Sequence, residues 1–186
     1  LGAAVGLMKL SRSLPVRKLA GTYVEAIRGT PLIVQVMFLY FGVPMAVGMR
    51  IRPMTAGIIA IAVNSGAYIA EIVRGAVQSI DPGQIEAGRS IGLTRTQTMR
   101  YIIWPQAFRR MIPPLGNQFI ISLKDTSLLV VIGVAELTRV GQEIIAVNFR
   151  AFEVWLTVGV VYLMMTLTIA RLLRLAEDRL ARRGQR

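Results

Sequence analysis

The chain has no cysteine and no histidine. Their absence removes disulfides, thiolate nucleophiles, Cys/His metal sites and every His-based catalytic triad, and most enzyme classes go with them. No G-x-x-x-x-G-K-[ST] run occurs, so no loop here cradles ATP phosphates in the Walker manner. Acids are scarce: 10 Asp and Glu stand against 22 Lys and Arg, for a formal charge of +12. No linker, low-complexity tract or internal repeat divides the chain, which reads as one domain over 1–186.

Apolar residues are abundant, at 54% of the sequence with a mean hydropathy of +0.55. They come in runs too long and uniform for a soluble core, the pattern of an integral membrane protein in contact with lipid. The positive charge punctuates these runs instead of gathering on one polar face, which argues against nucleic acid as a partner. Twenty-one uncharged residues lie between Arg28 and Arg50, eighteen between Arg52 and Glu71, and seventeen between Glu153 and Arg171. Each run is long enough, at about 1.5 Å per residue, to cross a hydrocarbon core of roughly 30 Å. Met111 to Ala135 is a fourth candidate, interrupted by Lys124 and Asp125. Residues 1–8, apolar and uncharged before Lys9, read as the second half of a fifth span and not as a signal peptide. The expectation is an all-α, polytopic protein of about five spans.

Alternation of five spans places residues 9–30, 72–110 and 171–186 on one side. That side holds seventeen of the 22 basic residues, against four on the other. The imbalance puts it, and the C-terminus, in the cytoplasm. The tail from Arg171 reads as a helix leaving the bilayer, with Asp178 and Arg182 as a surface pair.

Between two spans lies a polar insert, Asp81 to Pro105, DPGQIEAGRSIGLTRTQTMRYIIWP. Asp81 before Pro82, with Gln84 three residues on, predicts a capped helix, and Gly92 predicts its left-handed end. Thr94 and Gln97 form a second capping box, starting a helix expected to stop or kink before Pro105. The unit is helix, glycine joint, helix, proline stop.

Glu86, Ala87, Gly92, Ile102 and Pro105 sit at the spacing of the EAA loop of ABC importer permeases, E-A-A, three residues, G, nine residues, I-x-L-P. Gly88 stands where the second Ala is usual and Trp104 where Leu is usual. The blocks EAIRGTPLIVQ (25–35), AYIAEIVRGAVQSIDPGQIEAGRSIGL (67–93), PQAFRRMIPPLGNQFI (105–120) and LKDTSL (123–128) further resemble the polar amino-acid subfamily, of histidine, glutamate, glutamine, arginine and opine type. The resemblance implies a bacterial inner-membrane subunit that pairs with itself or a paralogue. It also implies a separate ATPase dimer, which binds ATP and Mg, and an extracytoplasmic solute-binding protein; this chain itself would carry no cofactor. Glu86, Ala87, Gly88, Gly92, Ile102 and Pro105 then take the family's ATPase-coupling positions, and passage would be by alternating access.

Lys124 and Asp125 are the costliest residues for a membrane interior, where a charge costs a few kcal/mol unless it faces partners or water. With Thr126 and Ser127 they are candidates for a substrate path, and a Lys and an Asp in one cavity suit a zwitterion. Structural pairing with neighbouring helices is the alternative. Asn64, Tyr68 and Glu71 share one helix face and are either interhelical hydrogen-bonding groups, the favoured reading, or solute contacts. Ala62, Gly66 and Ala70 form a small-residue stripe typical of close helix contact. Pro31, Pro44, Pro113 and Pro114 fall at or inside span ends. A Ser122–Lys124 hydrolase dyad is discounted, since a spacing of two separates them around a helix. The rivals to an amino-acid permease are a permease for another solute, an ion channel, and an intramembrane enzyme without an evident nucleophile and base.

Overall fold

The computed structural model describes residues 1–183, with side chains described to Glu177. The expected Asp178–Arg182 pair lies outside the described side chains. All regular structure among the described residues is helical.

The elements are α1 (Gly2–Lys9), α2 (Leu14–Arg28), α3 (Leu32–Met37), α4 (Val43–Val47), α5 (Pro53–Gln78), α6 (Pro82–Ser90), α7 (Arg95–Thr98), α8 (Trp104–Asp125), α9 (Leu137–Asn148) and α10 (Ala151–Arg183). A π-turn at Phe38–Gly42 joins α3 to α4, another at Met99–Ile103 joins α7 to α8, and a 3-10 turn at Thr126–Ile132 prolongs α8.

The central element is α5, whose buried positions are mostly small: Ala56, Gly57, Ala60, Gly66, Ala67, Ala70, Val73 and Ala76. Small side chains let neighbouring backbones approach, which suits helices that associate in lipid by packing. On one side α1 lies so close that a methyl group at Gly6 would fall 2.7 Å from Val73 Cβ and 3.0 Å from the Ala70 carbonyl oxygen. Ala56 and Ala60 meet Val36, Leu129 and Ile132 in one core cluster. Val73 and Ala76 meet Ile103, Ala107 and Met111 in a second, and Ala67 and Ala70 meet Val5, Ala20 and Val24 in a third. Of the expected stripe, Gly66 and Ala70 are buried while Ala62 is exposed.

Three helical stretches are long and apolar enough to cross a membrane: Pro53–Gln78, Arg95–Ile132 and Ala151–Glu177. A fourth crossing arises if Leu14–Arg28 and Leu32–Val47, bent by 102° at a short break, count as one span. The five-span expectation is thus approximate: α1 has eight residues, and the run from 29 to 49 is helical only from Leu32 to Val47.

Two helices were not anticipated. The amphipathic α2 opens with Pro15 in its first turn and buries Ala20 and Val24. α9 starts where the Glu136 carboxylate accepts hydrogen bonds from Thr138 N (2.8 Å) and Arg139 N (2.6 Å). The Tyr162 hydroxyl donates to the same carboxylate at 3.2 Å, tying α9 to α10. Only 6% of α10's most apolar window is covered by this chain, against 44% for α5, so α10 presents its surface outward.

Candidate functional site

Asp81 caps α6 by accepting from Gly83 N at 2.7 Å. The expected box with Gln84 does not close: Gln84 Oε1 instead accepts from Gln106 Nε2 at 3.2 Å, stitching α6 to the start of α8. α6 ends in a Schellman motif, with Gly92 N donating to Arg89 O (3.0 Å) and Leu93 N to Gly88 O (3.1 Å). Gly92 has φ +84°, a left-handed conformation glycine adopts without strain. Thr94 and Gln97 make the full capping box that starts α7.

The proline stop does not occur. The chain is one helical rod from Arg95 to Ile132, and Pro105 sits in the first turn of α8 directly after the π-turn. The i→i+5 bonding of that turn, with Trp104 N donating to Met99 O, shifts the hydrogen-bond register where Pro105 has no donor to offer. Pro113 and Pro114 are likewise taken inside α8.

Gly88 is buried where α6 crosses the rod. A methyl group there would lie 2.9 Å from Thr98 Cγ2 and 3.0 Å from Ile102 Cδ1, so this glycine permits a closer crossing than alanine. Glu86, Ala87 and Gly92 are exposed, and among the described residues Glu86 and Arg89 form no ion pair. The elbow therefore has an inner face, Gly88, Thr98 and Ile102, and a free outer face carrying Glu86 and Ala87. Arg110 donates to the Ser79 carbonyl and, at 3.0 Å, to its hydroxyl, tying the rod to the end of α5.

On α5 the polar stripe is occupied internally. The Glu71 carboxylate meets Lys9 of α1, Arg74 at 2.6 Å and Arg28 of α2 at 3.8 Å. Arg28 also lies over the Tyr68 ring, 5.1 Å from its centroid. Asn64 Nδ2 donates to Gln35 Oε1 at 3.2 Å, and Gln35 Nε2 donates to Ile27 O and Thr30 O, carbonyls left open by the 102° bend. These groups hold the bend against α5, by contacts that cross from one helix to another.

Lys124 and Asp125 close α8. Among the described residues neither makes an ion pair, with each other or elsewhere. The Thr126 hydroxyl donates to Leu123 O (2.6 Å) and that of Ser127 to Lys124 O (2.7 Å), completing the helix end. Ser122 pairs with Ser65 of α5 at 2.8 Å, away from any dyad with Lys124. Among the described residues no three acidic side chains gather to hold a metal ion.

The family described as "Binding-protein-dependent transport system inner membrane component" matches residues 1–183. The chain belongs to that family. This inner-membrane component is 56% identical over 181 residues to the glutamine transport system permease protein GlnP of Escherichia coli K12, covering 97% of this chain and 83% of that one. It is 37% identical to the nopaline transport system permease protein NocM of Agrobacterium fabrum, covering 93% and 76%. A solved structure described as an amino acid ABC transporter with histidines superposes with a TM-score of 0.91 at 47% identity, covering 96% of this chain and 83% of that one. The inner-membrane component is a multi-pass, all-helical permease subunit of an ABC importer.

Proposed function

We propose that this permease subunit passes polar amino acids of the glutamine type, with ATP hydrolysed by a separate ATPase dimer. The names of its relatives and the LKDTSL block at 123–128 support that substrate class. A second permease subunit, identical or paralogous, completes the pathway, and an extracytoplasmic solute-binding protein delivers the solute. ATP and Mg stay with the ATPase, since this chain has no Walker loop, and the chain performs no covalent step. Its basic segments, and with them the C-terminus, face the cytoplasm.

The jointed elbow at 81–105 carries this reading. Glu86 and Ala87 offer the outer face to a groove on the ATPase, Gly92 sets the angle of the joint, and Gly88 and Ile102 brace it from within. Because α7, the π-turn and α8 are continuous past Pro105, closure of the ATPase dimer rotates the rod. Lys124 and Asp125, without ion-pair partners among the described residues, lie at the far end with Thr126 and Ser127, where an ammonium and a carboxylate suit a zwitterionic solute. Asn64, Tyr68 and Glu71 hold the bent segment through which the pathway wall is built.

The test is ATP-driven uptake of labelled glutamine into proteoliposomes carrying permease, ATPase and binding protein. Accumulation is expected to require all three. Flux that persists without the ATPase overturns the proposal in favour of a channel, and accumulation of an unrelated solute in place of polar amino acids overturns the substrate class.

A further inference from the structure

Two adjoining cavities flank the elbow, the second lined in part by its own Thr94 and Thr98. One, of about 510 Å³, is walled by Leu7 and Leu10 at the end of α1 and by Met99 and Trp104, with Arg12 and Arg95 at its polar rim. The other, of about 480 Å³, shares Arg12, Arg95 and Met99 and adds Arg89. Arg12 of the α1–α2 loop, Arg89 of α6 and Arg95 of α7 thus line one cavity, and none makes an ion pair among the described residues. The apolar residues of the first cavity adjoin this basic lining through the shared Arg12, Arg95 and Met99.

We propose that this double groove binds an anionic glycerophospholipid of the cytoplasmic leaflet, with its phosphate between Arg12 and Arg95 and an acyl chain against Leu7, Leu10, Met99 and Trp104. The proposal rests on the cytoplasmic placement of the basic segments argued above. Charge complementarity selects the headgroup, because unpaired arginines beside a span end are what an anionic leaflet attracts. The apolar wall selects a lipid over a free anion: α1 is wholly apolar up to Lys9, a surface suited to an acyl chain, and a half-buried Trp104 is the residue type that favours the interface. An acidic protein side chain would satisfy the arginines and leave that wall exposed. The lipid would touch α1's end, α6 and the rod together, so leaflet composition would bear on the elbow's seating.

Native mass spectrometry of the assembled permease and ATPase complex, titrated with phosphatidylglycerol or phosphatidylcholine, reads the site independently of transport and of orientation. Wild type is expected to retain phosphatidylglycerol preferentially. Arg12→Gln/Arg95→Gln is expected to weaken that retention about thirtyfold, at about fivefold per cation removed. Arg12→Lys/Arg95→Lys should keep most of it, and Arg17→Gln/Lys18→Gln, outside both cavities, should leave it intact. Leu10→Asn should weaken the lipid but not any retention of glycerophosphate. Equal retention of both lipids, displacement of phosphatidylglycerol by an equal concentration of inorganic phosphate, or loss of ATPase assembly in the arginine variant with lipid retention unchanged would each overturn the proposal.

Discussion

Replacing Gly92 isolates the backbone of the joint from its packing. An added Cβ there meets no atom within 4 Å beyond its own chain neighbours, so the first carbon of a side chain is free of clashes. What remains is the φ of +84°, a conformation that costs an L-residue about 1–2 kcal/mol. If the Schellman turn must close for α6 to seat on the ATPase, that cost weakens assembly by about five- to thirtyfold. Gly92→Val belongs at the upper end, since branching at Cβ stiffens the residue, Gly92→Ala in the middle, and Gly92→Asn near wild type because Asn tolerates the left-handed region. The assay is a titration of ATPase onto the permease in nanodiscs, followed by ATP-driven uptake at saturating ATPase, where activity should recover in all three variants. Two results refute the reasoning. One is Gly92→Val binding as wild type does; the other is Gly92→Asn losing as much as Gly92→Val, which would mean that a partner's surface excludes any side chain there.

Gly88 tests packing instead. Gly88→Ala should lower the thermal stability of the complex by overpacking worth about 1–3 kcal/mol, partly offset by about 1 kcal/mol of helix propensity, and adding Thr98→Ser should restore part of it by removing the Cγ2 at 2.9 Å while Ile102 Cδ1 and the hydroxyl oxygen stay at 3.0 Å. Failure of that rescue would place the strain elsewhere. Glu71→Gln leaves Lys9, Arg28 and Arg74 without their shared carboxylate and should cost about 3 kcal/mol in a denaturation of the purified complex. Glu71→Leu/Lys9→Met should be milder than Glu71→Gln, because two opposite charges leave together; the reverse order would show that the cluster does not act as a compensated set.

Long apolar runs made α5 and α10 legible from the sequence, because 17 or more uncharged residues admit little else, whereas the rod, interrupted by Lys124 and Asp125, was legible only in part. Gly92 and the Thr94–Gln97 box were legible because local hydrogen bonding decides such features within a few residues. The fate of Pro105 was not: the π-turn at 99–103 that precedes it leads into a stretch where Ile103 and Ala107 pack against Val73 and Ala76, residues far away in sequence. The Asp81–Gln84 box lost to a tertiary partner, Gln106, for the same reason. Two missed helices had signals. Leu137, Val140, Gly141 and Ile144 recur at helical spacing after Glu136, and Val16, Ala20, Tyr23, Val24 and Ile27 do so after Pro15. For Asn64 and Glu71 the sequence left two roles open, and only the positions of Gln35, Lys9 and Arg28 show which contacts they make here.

The uninterrupted rod from Arg95 has a geometric consequence. Lys124 lies about 45 Å along it at 1.5 Å per residue, so a tilt of about 5° at the Arg95 end sweeps the charged end through about 4 Å. That travel exceeds the length of a hydrogen bond. Were the rod to tilt as one body, a small displacement at the elbow would thus be amplified into a change of neighbours around Lys124 and Asp125.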